Sequence, residues 1–573
     1  MKIDVSKLGY RWKGNHTAAT SYARGDVVRK NNDILYNNGS EFITMAGGQK
    51  DANSKGALAS KNTANSQVTG ASDQILHVGS TDNLEFQFSD GRNSTAVLKL
   101  AKALGGRYGG SDGRGGKDSM FAIMTDGSVR GWGNNSYYQL GIGSNTYART
   151  LPKRVAFPSD APEISEVYCG TRGSNYAVDT KGGLWGWGYG VNYSMGKEGD
   201  VSNVPIPEKM NGRGDIPEDA VITDVFQTNT NAQEYSTNYT ATWCRDSKGN
   251  IYGWGSNAYN LTGTQVDSSN IESPTLMPLS QLVNIVDIMG FGNGQWASFF
   301  ITDTGEMYES GQNYGLASNN SELSGRTTVP ALWLPSSQDP VKKVIHSRNR
   351  YNTGASSFYD RFMLLTTNGK IYTWGTSGRG LTQTDIPNYV NTYTAVWDSR
   401  IDDVKDIGVS SGIGQSQYVL KNDGTVWGIG YLTDIDLSDN TTDETYHVEW
   451  VQMSFGNDNQ EMVHTGDVGP TYNEYRGSGI LLKKNNGNLF IIGDWDDNLS
   501  QSGGGTDQGV NNQPVFGEVR LPKAVDQFEI LGGASRNNLF VQIGGEVFSA
   551  GYGSILGNED NNSNRYCMSQ LIF

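Results

Sequence analysis

Eight times along the chain an apolar run gives way to a turn dipeptide, and the turn gives way to a short alternating stretch that ends on glycine. The copies read Gly127-Ser-Val-Arg-Gly-Trp-Gly133, Gly182-Gly-Leu-Trp-Gly-Trp-Gly188, Gly249-Asn-Ile-Tyr-Gly-Trp-Gly255 and Gly305-Glu-Met-Tyr-Glu-Ser-Gly311. They continue as Gly369-Lys-Ile-Tyr-Thr-Trp-Gly375, Gly424-Thr-Val-Trp-Gly-Ile-Gly430, Gly487-Asn-Leu-Phe-Ile-Ile-Gly493 and Gly545-Glu-Val-Phe-Ser-Ala-Gly551. An aliphatic residue holds the third place in each: Val129, Leu184, Ile251, Met307, Ile371, Val426, Leu489 and Val547. An aromatic follows it in seven, and Arg130 takes that place in the first. The pattern predicts a β-hairpin, because glycine tolerates the positive φ of a tight turn and alternation sends successive side chains to opposite faces. Both faces carry apolar residues, so sheets stacked face to face are expected to cover both.

Signals flank every hairpin. Upstream lies a strand of the form Ile-x-x-Val: Ile164 and Val167, Ile222 and Val225, Ile285 and Ile288, Val341 and Val344, Ile401 and Val404, Val525 and Phe528. Downstream comes an extended piece marked by Pro152, Pro205, Pro274, Pro330, Pro387 or Pro514, which suits an edge strand. Four strands make one propeller blade, and the first glycines recur every 55 to 67 residues. The Asp-Gly turn, the Trp-Gly ending and the following Tyr138-Gln139-Leu140-Gly141 resemble the repeat of the regulator of chromosome condensation (RCC1) family, with echoes at Tyr193-Ser-Met-Gly196, Tyr259-Asn-Leu-Thr262 and Gly380-Leu381. The resemblance covers residues 97–573 and implies an all-β, RCC1-like β-propeller. That family's rings usually have seven blades; the hairpin count here favours eight. The strand-like end from Met568 to Ile572 is expected to close the ring by pairing near residues 84–104.

Residues 1–46 form a separate small β pattern, and residues 47–96 a polar arm that includes the alternating run Leu84 to Phe88. A second strand-like run spans Val97 to Leu100. Trp12, Tyr22, Gly25 to Val28 and Tyr36 resemble the chitin-binding-type modules of bacterial glycan-active enzymes and of tail or fibre proteins of tailed bacteriophages. The downstream tryptophan of true glycan binders is absent before residue 132, so these aromatics serve equally as a tiny core.

Composition narrows the function. Seventy-four glycines against 15 prolines fit many short strands. A net charge of −15 disfavours nucleic acid as a partner. The densest basic stretch, Lys342, Lys343, Arg348 and Arg350, reads as a solvated loop. Three scattered cysteines, Cys169, Cys244 and Cys567, oppose a disulfide framework; the first two read as small buried thiols. No signal peptide and no membrane-length apolar run appears in the sequence. Five histidines show no metal spacing, and no nucleophile elbow or phosphate loop is present. The acidic clusters Asp434, Asp436, Asp439 and Asp494, Asp496, Asp497 read as solvated loops rather than cation sites. No catalytic residue, cofactor or metal is expected.

The resulting expectation is a non-enzymatic virion protein, a fibre or receptor-binding component and a homo-oligomer. It would be held to other virion proteins by residues 1–46 and bind a host-surface glycan or protein through propeller loops. Tyr235, Tyr239, Tyr472 and Tyr475 in those loops, with Trp12, Tyr22 and Tyr36, are the candidate binding residues. The alternatives are a bacterial surface or secreted adhesion protein, and an intracellular RCC1-like interaction protein or exchange factor.

Overall fold

A computed structural model describes most of residues 119–229, 240–311, 327–333, 339–350, 358–376, 391–409, 417–431, 446–464, 479–493 and 515–551, together with the backbone of shorter strands near both ends. Each of the eight hairpins lies at the centre of a four-stranded antiparallel meander. The first unit runs Ala101–Gly105, Ser119–Met124, Val129–Gly133, Ala148–Arg154, and the second Ile164–Cys169, Ser174–Asp179, Leu184–Gly188, Val204–Lys209. The third runs Ile222–Asn229, Ala241–Asp246, Ile251–Ser256, Asn270–Leu276, and the fourth Ile285–Phe291, Ala297–Thr302, Met307–Gly311, Thr327–Trp333. The fifth is Val341–Arg350, Phe358–Thr366, Ile371–Thr376, Asn391–Trp397, the sixth Val404–Val409, Gln417–Lys421, Val426–Tyr431, Tyr446–Gln452, the seventh Asn459–His464, Gly479–Lys484, Leu489–Gly493, Val515–Glu518, and the last Gln527–Gly533, Arg536–Ile543, Glu546–Gly551, Arg565–Gln570. Val191–Tyr193 and Pro278–Gln281 are single 3-10 turns, and no α-helix occurs among the described residues.

The aliphatic third position forms the spine of the core. All eight of these side chains are at most 1% exposed. Each sheet meets the next through them: Leu184 packs with Val225 and Cys244, Met307 with Val344 and Leu364, Val426 with Met462 and Leu482. The series returns on itself, since Phe540 and Val547 of the last unit pack with Met120, Met124 and Trp132 of the first. The described residues are therefore an all-β propeller arrangement in which each sheet buries both faces.

The Ile-x-x-Val spacing has a cause that strand periodicity alone does not supply. Two buried residues three apart cannot share a face of a regular strand. The first strand of each of the first seven units carries a register shift at this point, as between Ile164 and Glu166 or Ile222 and Asp224. A β-bulge inserts one extra residue, so Ile164 and Val167 both face the core while Ser165 and Glu166 turn outward. In the sixth unit the pair is Val404 and Ile407, not Ile401 and Val404, because Ile401 belongs to the preceding link. In the last unit Val525 and Phe528 face the same core cluster with two exposed residues between them, although Val525 lies just before the strand and the strand itself keeps an unbroken register.

Prolines mark outer strands as expected. Pro152, Pro205, Pro274 and Pro330 lie in the fourth strand, within the stretch where the ladder loses register. A residue without an N–H is tolerated where no ladder bond is made. Pro387 and Pro514 lie outside the described residues.

Two expectations need correction. The C-terminal strand Arg565–Gln570 pairs with Glu546–Gly551 of its own unit, and closure is by side-chain packing instead of strand exchange. Lys342 and Lys343 lie in the strand Val341–Arg350, not in a loop; the bulge turns both outward, and Lys343 reaches Asp406 of the next unit at 2.9 Å. Leu84–Gln87 pairs with Asn93–Ala96 in a two-stranded sheet, and the first unit opens with the strand Ala101–Gly105; the run Val97 to Leu100 lies outside the described residues.

Candidate interaction surface

Meander topology gives the ring two different faces. The hairpin turns and the links between units leave from one, the turn face; the connections that follow each Trp-Gly ending leave from the other, the loop face.

On the turn face the carboxylates hold the architecture. Asp179 accepts the backbone N–H of Lys181 and of Gly183, both at 2.8 Å, and the indole N–H of Trp185 at 2.9 Å. Asp246 repeats this with Lys248, Asn250 and the Tyr252 hydroxyl. The aromatic after the aliphatic residue thus has a polar tip for a reason: it tethers the sheet to its own turn. Burial, reinforced by Asp246, pushes the Tyr252 hydroxyl up to about 12.

Asp339 serves the fifth unit in the same way, receiving Asn368 at 2.7 Å, Lys370 at 2.8 Å and the Tyr372 hydroxyl at 2.7 Å. Burial alone would raise its pKa, but the bonds from Asn368, Lys370 and Tyr372 outweigh that and hold it below the usual carboxylate range. A depressed folded-state pKa means stability that is present above the ordinary aspartate value near 4 and is lost as pH falls through the depressed one. Asp339→Asn is therefore expected to flatten the acid limb of a plot of melting temperature against pH. A variant whose melting temperature falls with acid as steeply as the parent's would remove Asp339 from this role.

On the loop face the segments after Trp-Gly lock one unit to the next. Tyr138, Tyr193 and Asn260 occupy the left-handed region, at φ of 63°, 58° and 61°. The strained position is held by a following glycine N–H that bonds back to its carbonyl, from Gly141, Gly196 and Gly263. The carbonyl of Gln139 then accepts the indole N–H of Trp187 from the second unit at 2.8 Å. The Ser194 carbonyl accepts Trp254 of the third unit at 2.9 Å and also the Tyr176 hydroxyl. The Asn260 carbonyl accepts the Ser310 hydroxyl of the fourth at 2.7 Å. Residues 126–174 match the Regulator of chromosome condensation (RCC1) repeat.

The matched repeat begins at the hairpin turn of the first unit and ends at the second strand of the next, so it contains Gln139, whose carbonyl accepts the first of these locks. Among relatives, the chain is 31% identical to Protein pim1 of Schizosaccharomyces pombe, over 16% of this chain and 19% of that protein. It is 28% identical to the Ultraviolet-B receptor UVR8 of Arabidopsis thaliana, over 26% of this chain and 30% of that protein. The chain thus spans less than a third of the length of these curated relatives. The structure of Prp20p from Saccharomyces cerevisiae, described with its binding to Gsp1p and histones, aligns with a TM-score of 0.44 at 17% identity, covering 74% of this chain and 91% of that one.

Tyr22, Tyr235, Tyr239, Tyr472 and Tyr475 lie outside the described residues, as do both acidic clusters. Trp12 pairs with Val27, and Val27 with Tyr36, which sets Trp12 and Tyr36 in one cross-strand row of the sheet formed by residues 11–46. Cys169 and Cys244 are buried free thiols, and burial pushes the Cys244 thiol well up. Among the described residues no cluster suited to a metal ion occurs and no helix is long and apolar enough to cross a membrane.

Exposed apolar residues on the locked loops were not singled out by the sequence pattern. Tyr137, Val201 and Val266 are 47%, 48% and 40% exposed and sit on the loop-face segments of three consecutive units. Tyr137 leans edge-on against Tyr189 at 5.0 Å.

Proposed function

We propose that the protein is a non-catalytic scaffold, an eight-bladed ring whose loop face binds a protein partner inside the cell that makes it. The observation that supports this is the loop face itself: three exposed apolar side chains, Tyr137, Val201 and Val266, on segments hydrogen-bonded to their neighbours. Loops held rigid by a scaffold lose little conformational entropy on binding, and exposed apolar groups on them supply contact area. The likeness to the RCC1 repeat favours this intracellular setting. Exchange activity toward a small GTPase is a narrower form of the same reading and rests on that likeness alone.

Display on a virion is the second setting, carried by the resemblance of residues 1–46 to phage modules. The two separate by experiment. Tagged full-length protein, and a Tyr137→Ser, Val201→Ser, Val266→Ser variant, are used to capture partners from the producing cell, with purified virus particles probed in parallel. Loss of a stoichiometric partner by the variant at unchanged melting temperature is the expected result. Equal capture by both proteins overturns the loop-face assignment, and recovery of the chain in particles moves the setting to the virion.

A further inference from the structure

The turn face of the first three units carries a groove that the loop-face reading leaves unused. Two clefts, about 290 and 200 Å³, meet at Pro162 on the link between the first and second units. Each falls below the size of an ordinary small-molecule pocket, but end to end they form a trough of the kind that receives an extended chain. Its apolar side is the half-buried Phe157, packed edge-on against Trp185 at 5.8 Å.

Charge selects the occupant. The two clefts are lined by six carboxylates against three cations. Of the cations, Lys209 is committed to Glu218 at 2.7 Å. Asp160, Glu163 and Asp219 are exposed along the trough and make no ion pair among the described residues. They do not converge as metal ligands, since no such group occurs among the described residues. A phosphate backbone is repelled by the same charges.

We propose that this groove docks an extended, arginine- or lysine-bearing segment of a partner protein, with its aliphatic or proline positions against Phe157 and its cations at Asp160, Glu163 and Asp219. The inference rests on the scaffold reading and adds a second, chemically different contact on the opposite face.

The test uses the full-length chain and a fluorescein-labelled peptide of four Arg-Pro repeats, with a Glu-Pro peptide of equal length as control, read by fluorescence anisotropy. The basic peptide is expected to bind, and less tightly as salt rises. The triple variant Asp160→Asn, Glu163→Gln, Asp219→Asn is expected to weaken it about tenfold, as loss of three modest charge contacts implies. An equal change of net charge elsewhere on the turn face, Asp303→Asn, Asp402→Asn, Asp526→Asn, is expected to leave binding within about twofold. Melting curves confirm that both variants fold. Equal weakening by the two triples, or no binding of the basic peptide, overturns the groove. The loop-face variant is expected to keep the peptide; if the groove fails while that variant still loses its captured partner, the scaffold reading stands and only the groove falls.

Discussion

Leu184→Ala is expected to cost about 2–5 kcal/mol of folding stability, the range for a buried leucine whose cavity cannot collapse. Leu184 is fully buried between two sheets, with Val225 and Cys244 of the next unit in the same cluster. Both walls of the cavity are hydrogen-bonded sheets, so relaxation into the space is limited. Because each unit packs only on its neighbours, the loss falls first on the second and third units. Hydrogen exchange should rise there before it rises around Leu420 and Leu482, in the sixth and seventh units across the ring. Unchanged melting and unchanged exchange in this variant would refute the placement of the aliphatic spine.

The second large effect is expected at Gly188, the glycine that ends the second hairpin. Its φ is +99°, and a Cβ added there would run into the carbonyl oxygen of Gly173. That oxygen belongs to backbone which accepts the Tyr189 N–H and lies beside the lock to Gln139, so it has no room to retreat. Gly188→Ala thus combines left-handed strain, about 1–2 kcal/mol, with a steric clash against backbone, for a total on the order of 3 kcal/mol or more. Gly199 is the internal comparison. Its φ is +70°, but nothing lies within 4 Å of an added Cβ, so Gly199→Ala should show the strain alone. Equal thermal shifts for the two variants would mean that the Gly173 contact carries no weight.

How much of this was legible depends on which signal a residue leaves. The eight hairpins were legible because glycine at both ends frames a two-residue alternation, and the structure buries every aliphatic position so framed. The outer strands were legible from Pro152, Pro205, Pro274 and Pro330, since proline excludes ladder positions. The bulges were visible only as a spacing of three, which by itself also fits one face of a helix turn; the register shift at Ile164 and Glu166 explains it. The pairing of Ile401 with Val404 failed for that reason: three apolar residues at intervals of three offered two choices, and sequence does not say where the link ends.

Closure was misread because an unpaired terminal strand seemed to require a distant partner, whereas the outer place in its own sheet was available. Tyr235, Tyr239, Tyr472 and Tyr475 lie outside the described residues, and loop composition marks a segment but not an orientation. Tyr137, Val201 and Val266 leave no periodic trace: Val201 and Val266 are single apolar residues in polar segments, Tyr137 is one of two adjacent tyrosines, and sequence does not say which of such residues face outward.

The way the ring closes bears on how such a chain can be inherited. Arg565–Gln570 completes the last sheet and Ala101–Gly105 begins the first, so no sheet borrows a strand from the opposite end of the chain. Where one sheet is shared between the termini, copying or deleting a stretch of gene tears a hydrogen-bond ladder in the sheet that holds the ring shut. Among the described residues, the third and fourth units are joined by a short strand ladder, where Thr228 and Asn229 pair with Gly290 and Phe291, and other neighbours by single backbone bonds such as those from Ile222 N–H to the Gly182 carbonyl and from Val404 N–H to the Gly369 carbonyl. A duplication elsewhere adds a complete four-stranded sheet, which has only to re-form the side-chain packing, the loop-face locks and the single backbone bonds with its neighbours. Ring size in chains of this design is then set by how many whole sheets the gene encodes, and the partner-facing loops of one sheet are free to diverge while the others keep the ring intact.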